Sequence, residues 1–413
     1  MSAVKITKYV LSTLLSFSLV AIAKAAPNNG KWKVSIHRED GRQIVFNLKW
    51  SKENGKTTVA FLNGKEALTT TDIEDDGDSI TVNMPVFESA FRFRAIADDS
   101  LSGFWVRKLP TSEMRLSVTA VLSDERFSAK TPASIDATGK YAINFDEKDG
   151  KQDPAIAELK QTGSIVNGSI LTPTGDYRYM EGVVSGDSLW LSTFDGVHAL
   201  VVSGKIEQNG SISGALWSGA KSYETYSGKK EANPTLPNTS AMYVRDGESG
   251  HLNFQFKDLD GNNVSINDER FKNKVVVIDL MGSWCPNCMD ETAFLSDFYK
   301  QNKKRGVEVI GLAYEYSEDF ERSRKSLDKF RKKFDVTYPM LITGVTVMDP
   351  QRTEKTLPQL TPIKMFPSTI VLDKTGKVAF IDTGFQGPGT GEYYTQFARE
   401  FNGKIDQLLL SKK

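Results

Sequence analysis

Cys285 and Cys288 are the residues of this sequence with the clearest capacity for chemistry. They are the only two cysteines among 413 residues, and they lie three positions apart in the segment Trp-Cys-Pro-Asn-Cys. A disulfide between them would close almost no loop, whereas loop closure is the main way in which a structural disulfide stabilises a protein. The spacing therefore favours a reactive dithiol over a structural crosslink.

The residues around the pair predict which sulfur reacts first. The segment follows an apolar run at 275–278 and opens a predicted helix, so Cys285 falls at the N-cap and Pro286 at the first helical position. Free backbone amides and the positive end of the helix dipole stabilise a thiolate at Cys285. Cys285 is predicted to attack the disulfide of a partner. Cys288, one turn along and less exposed, would then attack Cys285 and release the reduced partner.

Alternatively, the two cysteines could supply two of the four ligands of a zinc site. A structural zinc site needs four ligands, and the histidines His37, His198 and His251 have no ligand-like spacing with the cysteines. We expect neither a metal nor a cofactor beyond the redox-active disulfide. The glycine-rich residues 387–391 lack the lysine and the strand-to-helix spacing of a phosphate-binding loop, so a turn before the last helix is predicted there.

The elements that position these residues are predicted within 241–413, which has the pattern of an α/β domain. The run at 275–278 contains only β-branched residues, which is typical of a strand covered on both faces. Hydrophobic periodicity predicts strands at 274–280, 307–313, 368–372 and 377–383, and helices at 286–303, 318–334 and 393–410. The residues 343–365, which include three prolines, are predicted to form a rim that selects substrates.

With these features, 241–413 resembles the thioredoxin superfamily, and within it the exported TlpA/ResA-like branch that reduces protein disulfides. The resemblance depends on the Trp-Cys-Pro-Asn-Cys motif, on Asp279 and Glu291 around it, and on Phe-Pro-Ser-Thr at 366–369. It implies a thioredoxin fold. It also implies a membrane electron donor of the DsbD/CcdA type.

The resemblance further implies roles for individual residues. Pro367 corresponds to the cis proline that the superfamily places beside the dithiol, and a cis bond is costly before any other residue. The backbone at Phe366 would pair with an extended substrate. Trp284 belongs to the catalytic motif, and Pro286 and Asn287 between the cysteines are expected to contact the substrate.

Two acids accompany the dithiol. Glu291 matches the active-site glutamate of the branch, and Asp279 stands where thioredoxin has a buried aspartate. A carboxylate near a buried thiol raises the pKa of that thiol, and desolvation raises the pKa of both groups. Either acid could move the proton that Cys288 must lose. The alternatives are a solvated Glu291 in the first helical turn and a hydrogen-bonding Asp279 at a strand end.

Residues 26–229 are predicted to form an antiparallel all-β domain, because apolar and polar residues alternate there between Gly and Asn turns. The domain contains an internal repeat, with units at about 30–128 and 139–229. Gly-Lys-Trp at 30–32 recurs as Gly-Lys-Tyr at 139–141, and Asp-Gly and Gly-Asp-Ser recur at the same offset. A single lipocalin-like barrel or sandwich is favoured over two small barrels. The polar residues 230–240, with two prolines, predict a linker.

The first 25 residues are predicted to be a cleaved signal peptide. Lys5 and Lys8 precede an apolar run at 9–23, and Ala23 and Ala25 supply the small residues that cleavage requires. The run is shorter than the roughly 20 residues that span a bilayer. No cysteine near this site could carry a lipid, so we expect the periplasm.

These features together predict an exported thiol:disulfide oxidoreductase that acts on protein disulfides. Two acids near the thiols disfavour the thiolate, which favours a reductant over a strong oxidant, with reshuffling of disulfides also open. Nucleic acid is not an expected partner, because 52 basic and 52 acidic residues give no overall field. Two alternatives stay open, namely a peroxiredoxin-like thiol peroxidase and a protein whose β domain binds a ligand or a cell-envelope partner.

Overall fold

The computed structural model describes residues 27–146, 150–238 and 241–411. The predicted signal peptide at 1–25 lies outside the described residues. In the part that is described, no helix is both long and apolar enough to cross a membrane.

The first repeat forms one antiparallel sheet in which the first and last strands pair. Its order within residues 27–146 is β4-β3-β2-β1-β9-β8-β7-β6-β5. Alternate residues along β9 are buried, as the period-two pattern predicts. The strands of this sheet are β1 (Gly30–His37), β2 (Gln43–Glu53), β3 (Lys56–Asn63), β4 (Glu66–Thr70), β5 (Ile73–Asp75), β6 (Ile80–Asn83), β7 (Ser89–Ala97), β8 (Ser100–Lys108) and β9 (Glu113–Leu122).

The second repeat forms a sheet of its own, again with its first and last strands paired. The pairing of β11 with β12 closes β10, β11, β12 and β14 to β18 into a barrel within the described residues. The strands are β10 (Gly139–Asp146), β11 (Gln152–Thr162), β12 (Ile165–Thr172), β13 (Gly175–Asp176), β14 (Met180–Ser185), β15 (Ser188–Phe194), β16 (Ala199–Ile206), β17 (Ser211–Ser218) and β18 (Ser222–Lys230).

The prediction of a duplicated, antiparallel all-β region is confirmed, but the single barrel shared by both repeats is wrong. Each repeat completes its own sheet, because the first strand of each unit pairs with the last strand of the same unit. The duplication extends to backbone conformation. Gly30 and Gly139, which begin β1 and β10, have φ angles of 148° and 145°.

An aromatic cluster in the interior of the first sheet joins the two repeats, while the second barrel keeps a core of its own. The ring of Phe194, at the end of β15, lies 4.5 Å from Phe46, 5.6 Å from Phe61, and 5.2 Å from both Phe91 and Trp105. A side chain of the second repeat therefore fills the interior of the first sheet. We refer to β1 to β18 together as the β domain.

The C-terminal domain is a mixed sheet flanked by helices, with the order β20-β19-β23-β22-β21-β24-β25 across residues 241–411. β21 pairs in parallel with β22 and antiparallel with β24, and all seven of its residues are buried. The strands are β19 (Gln255–Asp258), β20 (Asn263–Ser265), β21 (Val275–Met281), β22 (Val307–Ala313), β23 (Met340–Ile342), β24 (Ser368–Leu372) and β25 (Val378–Thr383). The helices are α1 (Pro286–Asn302), α2 (Phe320–Lys333), α3 (Arg352–Thr356) and α4 (Glu392–Leu410).

Candidate active site

The loop between β21 and α1 carries the two cysteines. Cys285 is the N-cap of α1, and its sulfur accepts a hydrogen bond from the backbone N–H of Cys288 at 3.2 Å. Pro286 occupies the first helical position. The two cysteines form a disulfide across a Cα–Cα distance of 5.2 Å. Cys285 is 4% exposed and Cys288 is fully buried, so the outer sulfur belongs to Cys285.

Phe366 and Pro367 lie against the outer sulfur. The peptide bond between them is cis, and the Sγ atom of Cys285 is 3.7 Å from the carbonyl oxygen of Phe366. The ring of Trp284 meets the ring of Phe366 edge-on at 5.8 Å. The guanidinium carbon of Arg352 lies 5.9 Å from the centroid of the Phe366 ring. Part of the predicted rim at 343–365 therefore lies near Phe366.

The two predicted acids come together beneath the dithiol. Asp279 lies on β21, opposite Thr369 of β24 in the strand register. The hydroxyl of Thr369 donates a hydrogen bond to Glu291, which lies on α1 one turn after Cys288. Asp279 is fully buried and Glu291 is 3% exposed. Glu291 is thus not a solvated residue of the first helical turn.

Burial determines the protonation of this pair. Desolvation raises the pKa of Asp279 well above its usual value, and the charge of Glu291 raises it further. Desolvation also raises the pKa of Glu291, although the hydrogen bond from Thr369 acts in the opposite direction. A side-chain hydrogen bond between the two carboxyl groups raises the pKa of Asp279 and lowers that of Glu291, so that Asp279 is the donor. Asp279 can therefore hold a proton, and Glu291, whose pKa burial raises to about 7, can accept one close to neutral pH.

A third acid, Glu315, was not predicted from the sequence. It follows β22 and accepts hydrogen bonds from the backbone N–H of Ser283 at 2.8 Å and from the Ser283 hydroxyl at 2.5 Å. The indole N–H of Trp284 donates to the carbonyl oxygen of Tyr314 at 2.8 Å. Burial raises the pKa of Glu315 to about 7. The position of Glu315 just after β22 could have indicated its place in the site. Because β21 and β22 are parallel, their carboxyl ends lie at the same edge of the sheet.

The β domain contacts the two residues between the cysteines. We call residues 173–179, which run from the end of β12 towards β14, the docking segment. In this segment Asp176 accepts hydrogen bonds from the side-chain amide of Asn287 at 3.2 Å and from the backbone N–H of Gly387 at 2.7 Å. Arg178 donates to the carbonyl oxygen of Pro286 at 2.9 Å. Pro286 and Asn287, predicted to face a substrate, thus contact the β domain.

Arg178 is the centre of a buried ionic cluster. Its guanidinium group pairs with Asp290 of α1 and with Glu66 of β4. Burial raises the pKa of Asp290 to about 7, while the charge of Arg178 acts in the opposite direction. Among the described residues, no group of three or more His, Cys, Asp or Glu side chains is placed to hold a metal ion.

Residues 245–396 match the Redoxin family model. Among curated proteins, the thiol-disulfide oxidoreductase ResA of Bacillus thuringiensis subsp. konkukian is 29% identical over 127 residues, which are 30% of this chain and 63% of the relative. ResA of Bacillus subtilis strain 168 is 26% identical over 132 residues, which are 32% of this chain and 64% of the relative. The chain thus spans less than two thirds of the length of these relatives.

A solved thiol-disulfide oxidoreductase from Bacteroides fragilis NCTC 9343 is also similar, at 20% identity and a TM-score of 0.27. The match covers 35% of this chain and 96% of that structure. The predicted resemblance of the C-terminal region to ResA-like proteins is confirmed by the curated relatives and by the family model.

Proposed function

We propose that this chain, whose residues 245–396 form a Redoxin domain, is a thiol:disulfide oxidoreductase that reduces protein disulfides outside the cytoplasm. The observation that carries the proposal is the position of the Cys285–Cys288 disulfide. It lies at the N-terminus of α1, beside Phe366 and above the buried acids Asp279 and Glu291. A relative named thiol-disulfide oxidoreductase supports the same chemistry.

The reaction begins from the reduced dithiol. The thiolate of Cys285, stabilised by the helix N-terminus, attacks one sulfur of the substrate disulfide. The substrate S–S bond breaks, a mixed disulfide with Cys285 forms, and the first substrate thiolate leaves and takes up a proton.

The second step closes the cycle. Cys288 gives its proton to the buried acid pair and attacks the sulfur of Cys285. The mixed disulfide breaks, the second substrate thiolate leaves, and the Cys285–Cys288 disulfide forms. Two electrons have passed from the dithiol to the substrate, so an external donor must reduce the pair again. We propose a membrane donor of the DsbD/CcdA type for this role.

The test is a single-turnover assay in which the pre-reduced protein is mixed with insulin and free insulin thiols are counted. We expect no reduction with Cys285→Ser, and a trapped mixed disulfide on Cys285 with Cys288→Ser. Full activity of Cys285→Ser would contradict the proposal. Hydrogen peroxide consumption, measured on the same samples, separates this activity from that of a thiol peroxidase. A redox titration against glutathione gives the direction, since a reductant has the lower potential.

Export is a separate part of the proposal. The predicted signal peptide at 1–25 supports it. A fusion of these residues to alkaline phosphatase, which is active only after export, should be active in a Gram-negative host. Changing Lys5 and Lys8 to Glu should reduce that activity, because the positive n-region is required. Retention of the unprocessed full-length chain in the cytoplasm would contradict periplasmic localisation.

A further inference from the structure

The β domain contacts the C-terminal domain on two sides of Cys285. On the first side, Arg178 and Asp176 of the docking segment hold Pro286 and Asn287. On the second side, Glu88, which precedes β7, pairs with Arg322 of α2, and Arg107 of β8 contacts Tyr316 beside Trp284. The nucleophilic cysteine of a dithiol enzyme must reach a sulfur atom of its substrate. In this chain that cysteine, Cys285, is only 4% exposed.

The first side is closely packed. A side chain on Gly175 would lie 3.3 Å from three atoms of the Asn287 side chain, and one on Gly389 would lie 2.7 Å from the backbone carbonyl group of Arg178. Arg178 is 2% exposed and is paired on both sides of the boundary between the domains. A buried ion pair that loses one partner costs stability, so this contact opposes partial opening.

The second side combines a buried aromatic contact, Phe87 against Phe330 of α2 at 6.4 Å, with a more solvated ion pair. Glu88 and Arg322 form an ion pair at 2.6 Å, and both side chains are about one third exposed. Arg107 donates a hydrogen bond at 3.4 Å to the hydroxyl of Tyr316, whose ring stacks on Trp284 at 5.3 Å. The β domain thereby reaches the aromatic residue that precedes Cys285.

We propose that the β domain determines which disulfides Cys285 accepts, by steric exclusion at these two contacts. A small disulfide, or one on a thin extended segment, reaches the sulfur between the docked domains. A disulfide on a folded protein surface reaches it only when at least one of the two contacts separates. The substrate classes in this inference rest on the proposed function, whereas the steric exclusion itself can be measured without any enzymatic activity.

The direct test uses one reactive thiol. In Cys288→Ser, Cys285 is the only cysteine of the chain, and its rates of reaction with N-ethylmaleimide and with a maleimide carrying a polyethylene glycol chain are compared. Both rates are normalised to those of free glutathione. We expect the large reagent to be slower by about tenfold or more, since access would require separation of the contacts.

Variants at the second side provide the control. Glu88→Arg places like charges at the pair with Arg322, and we expect it to bring the two normalised rates to within about twofold. The swap Glu88→Arg with Arg322→Glu restores opposite charges and should restore the difference between the two normalised rates.

At the first side, Asp176→Asn replaces an acceptor that faces two N–H donors and should act like Glu88→Arg. Its matched control is Asp187→Asn, at an exposed turn of the β domain.

Equal normalised rates in the parent protein, or rates that neither Glu88→Arg nor Asp176→Asn changes, would overturn the inference. With both cysteines present, Glu88→Arg should accelerate the reduction of insulin by about fivefold and leave that of oxidised glutathione within about twofold. If neither disulfide is reduced, the proposed function fails, and the maleimide comparison still decides the steric exclusion.

Discussion

The hydroxyl of Thr369 donates a hydrogen bond to the buried carboxyl group of Glu291. Thr369 lies on β24, two residues after Pro367, and Glu291 lies on α1, three residues after Cys288. The bond therefore joins the strand that follows the cis proline to the helix that carries Cys288. The bond fixes the orientation of Glu291 below the dithiol. It connects the geometry of the site to its proton chemistry.

Replacing Glu291 by Gln should slow the second step of the reaction. The variant keeps the shape of the side chain and loses the group that accepts the proton of Cys288, so we expect mixed-disulfide resolution to slow by about 10²-fold. Rapid acid quench followed by mass spectrometry measures the lifetime of the mixed disulfide with insulin. Asp297→Asn, on an exposed part of the same helix, is the control. If the mixed disulfide has the same lifetime in Glu291→Gln as in the native protein, Glu291 does not accept the proton of Cys288.

Replacing Thr369 by Val should shift the pH dependence of resolution to higher pH. A hydrogen bond to a carboxylate favours its charged form, so its loss raises the pKa of Glu291 above the value it has in the native protein. The measurement is the resolution rate across a pH series. Adding Thr369→Val to Glu291→Gln should cause no further shift. A shift to lower pH, or an equal shift in the double variant, would be inconsistent with this account.

Glu315 should make the protein less stable as the pH rises from about 4 to about 8. Burial raises the pKa of Glu315 to about 7 from an ordinary value of 4.5, so between these values the folded state holds a proton that the unfolded state has lost. Unfolding then releases a proton, and the contribution of Glu315 to the free energy of unfolding falls with increasing pH by about 3 kcal/mol.

Glu315→Gln tests this expectation. The variant carries no titrating group, so its free energy of unfolding relative to the native protein should increase by about 3 kcal/mol over the same pH range. Urea denaturation at several pH values gives the difference. Glu318→Gln, at an exposed position nearby, controls for the loss of a carboxylate. A constant difference between Glu315→Gln and the native protein would contradict the buried, protonated state.

Phe194→Ala should destabilise the β domain strongly. Its ring contacts four aromatic rings of the first sheet, and removing it leaves a cavity between the two repeats. Truncation of a buried phenylalanine costs about 3–5 kcal/mol. Phe104→Ala, on a partly exposed ring, should cost less than about 1 kcal/mol. Denaturation of both variants in parallel gives the comparison, and similar losses would show that Phe194 does not join the repeats.

The local pattern of the sequence determined the dithiol and the elements next to it. The β-branched run at 275–278 is typical of a covered strand, and a proline directly after Cys285 suits the first position of a helix. The observed α1, Pro286–Asn302, and β24, Ser368–Leu372, agree with the predicted bounds to within one residue. These features depend on neighbours along the chain, so they could be predicted from the sequence.

Tertiary structure decided what depends on distant residues. The alternating pattern predicts strands in both repeats. Only the pairing of β11 with β12 shows that the second repeat closes into a barrel. Arg178 and Pro286 are 108 positions apart, and no periodicity links them. Glu315 looks like an ordinary acid after a strand until burial and the hydrogen bonds of Ser283 give it a place beside Trp284. Side-chain burial and contacts between distant segments arise only when the chain has folded, because they are set by packing and not by local preference.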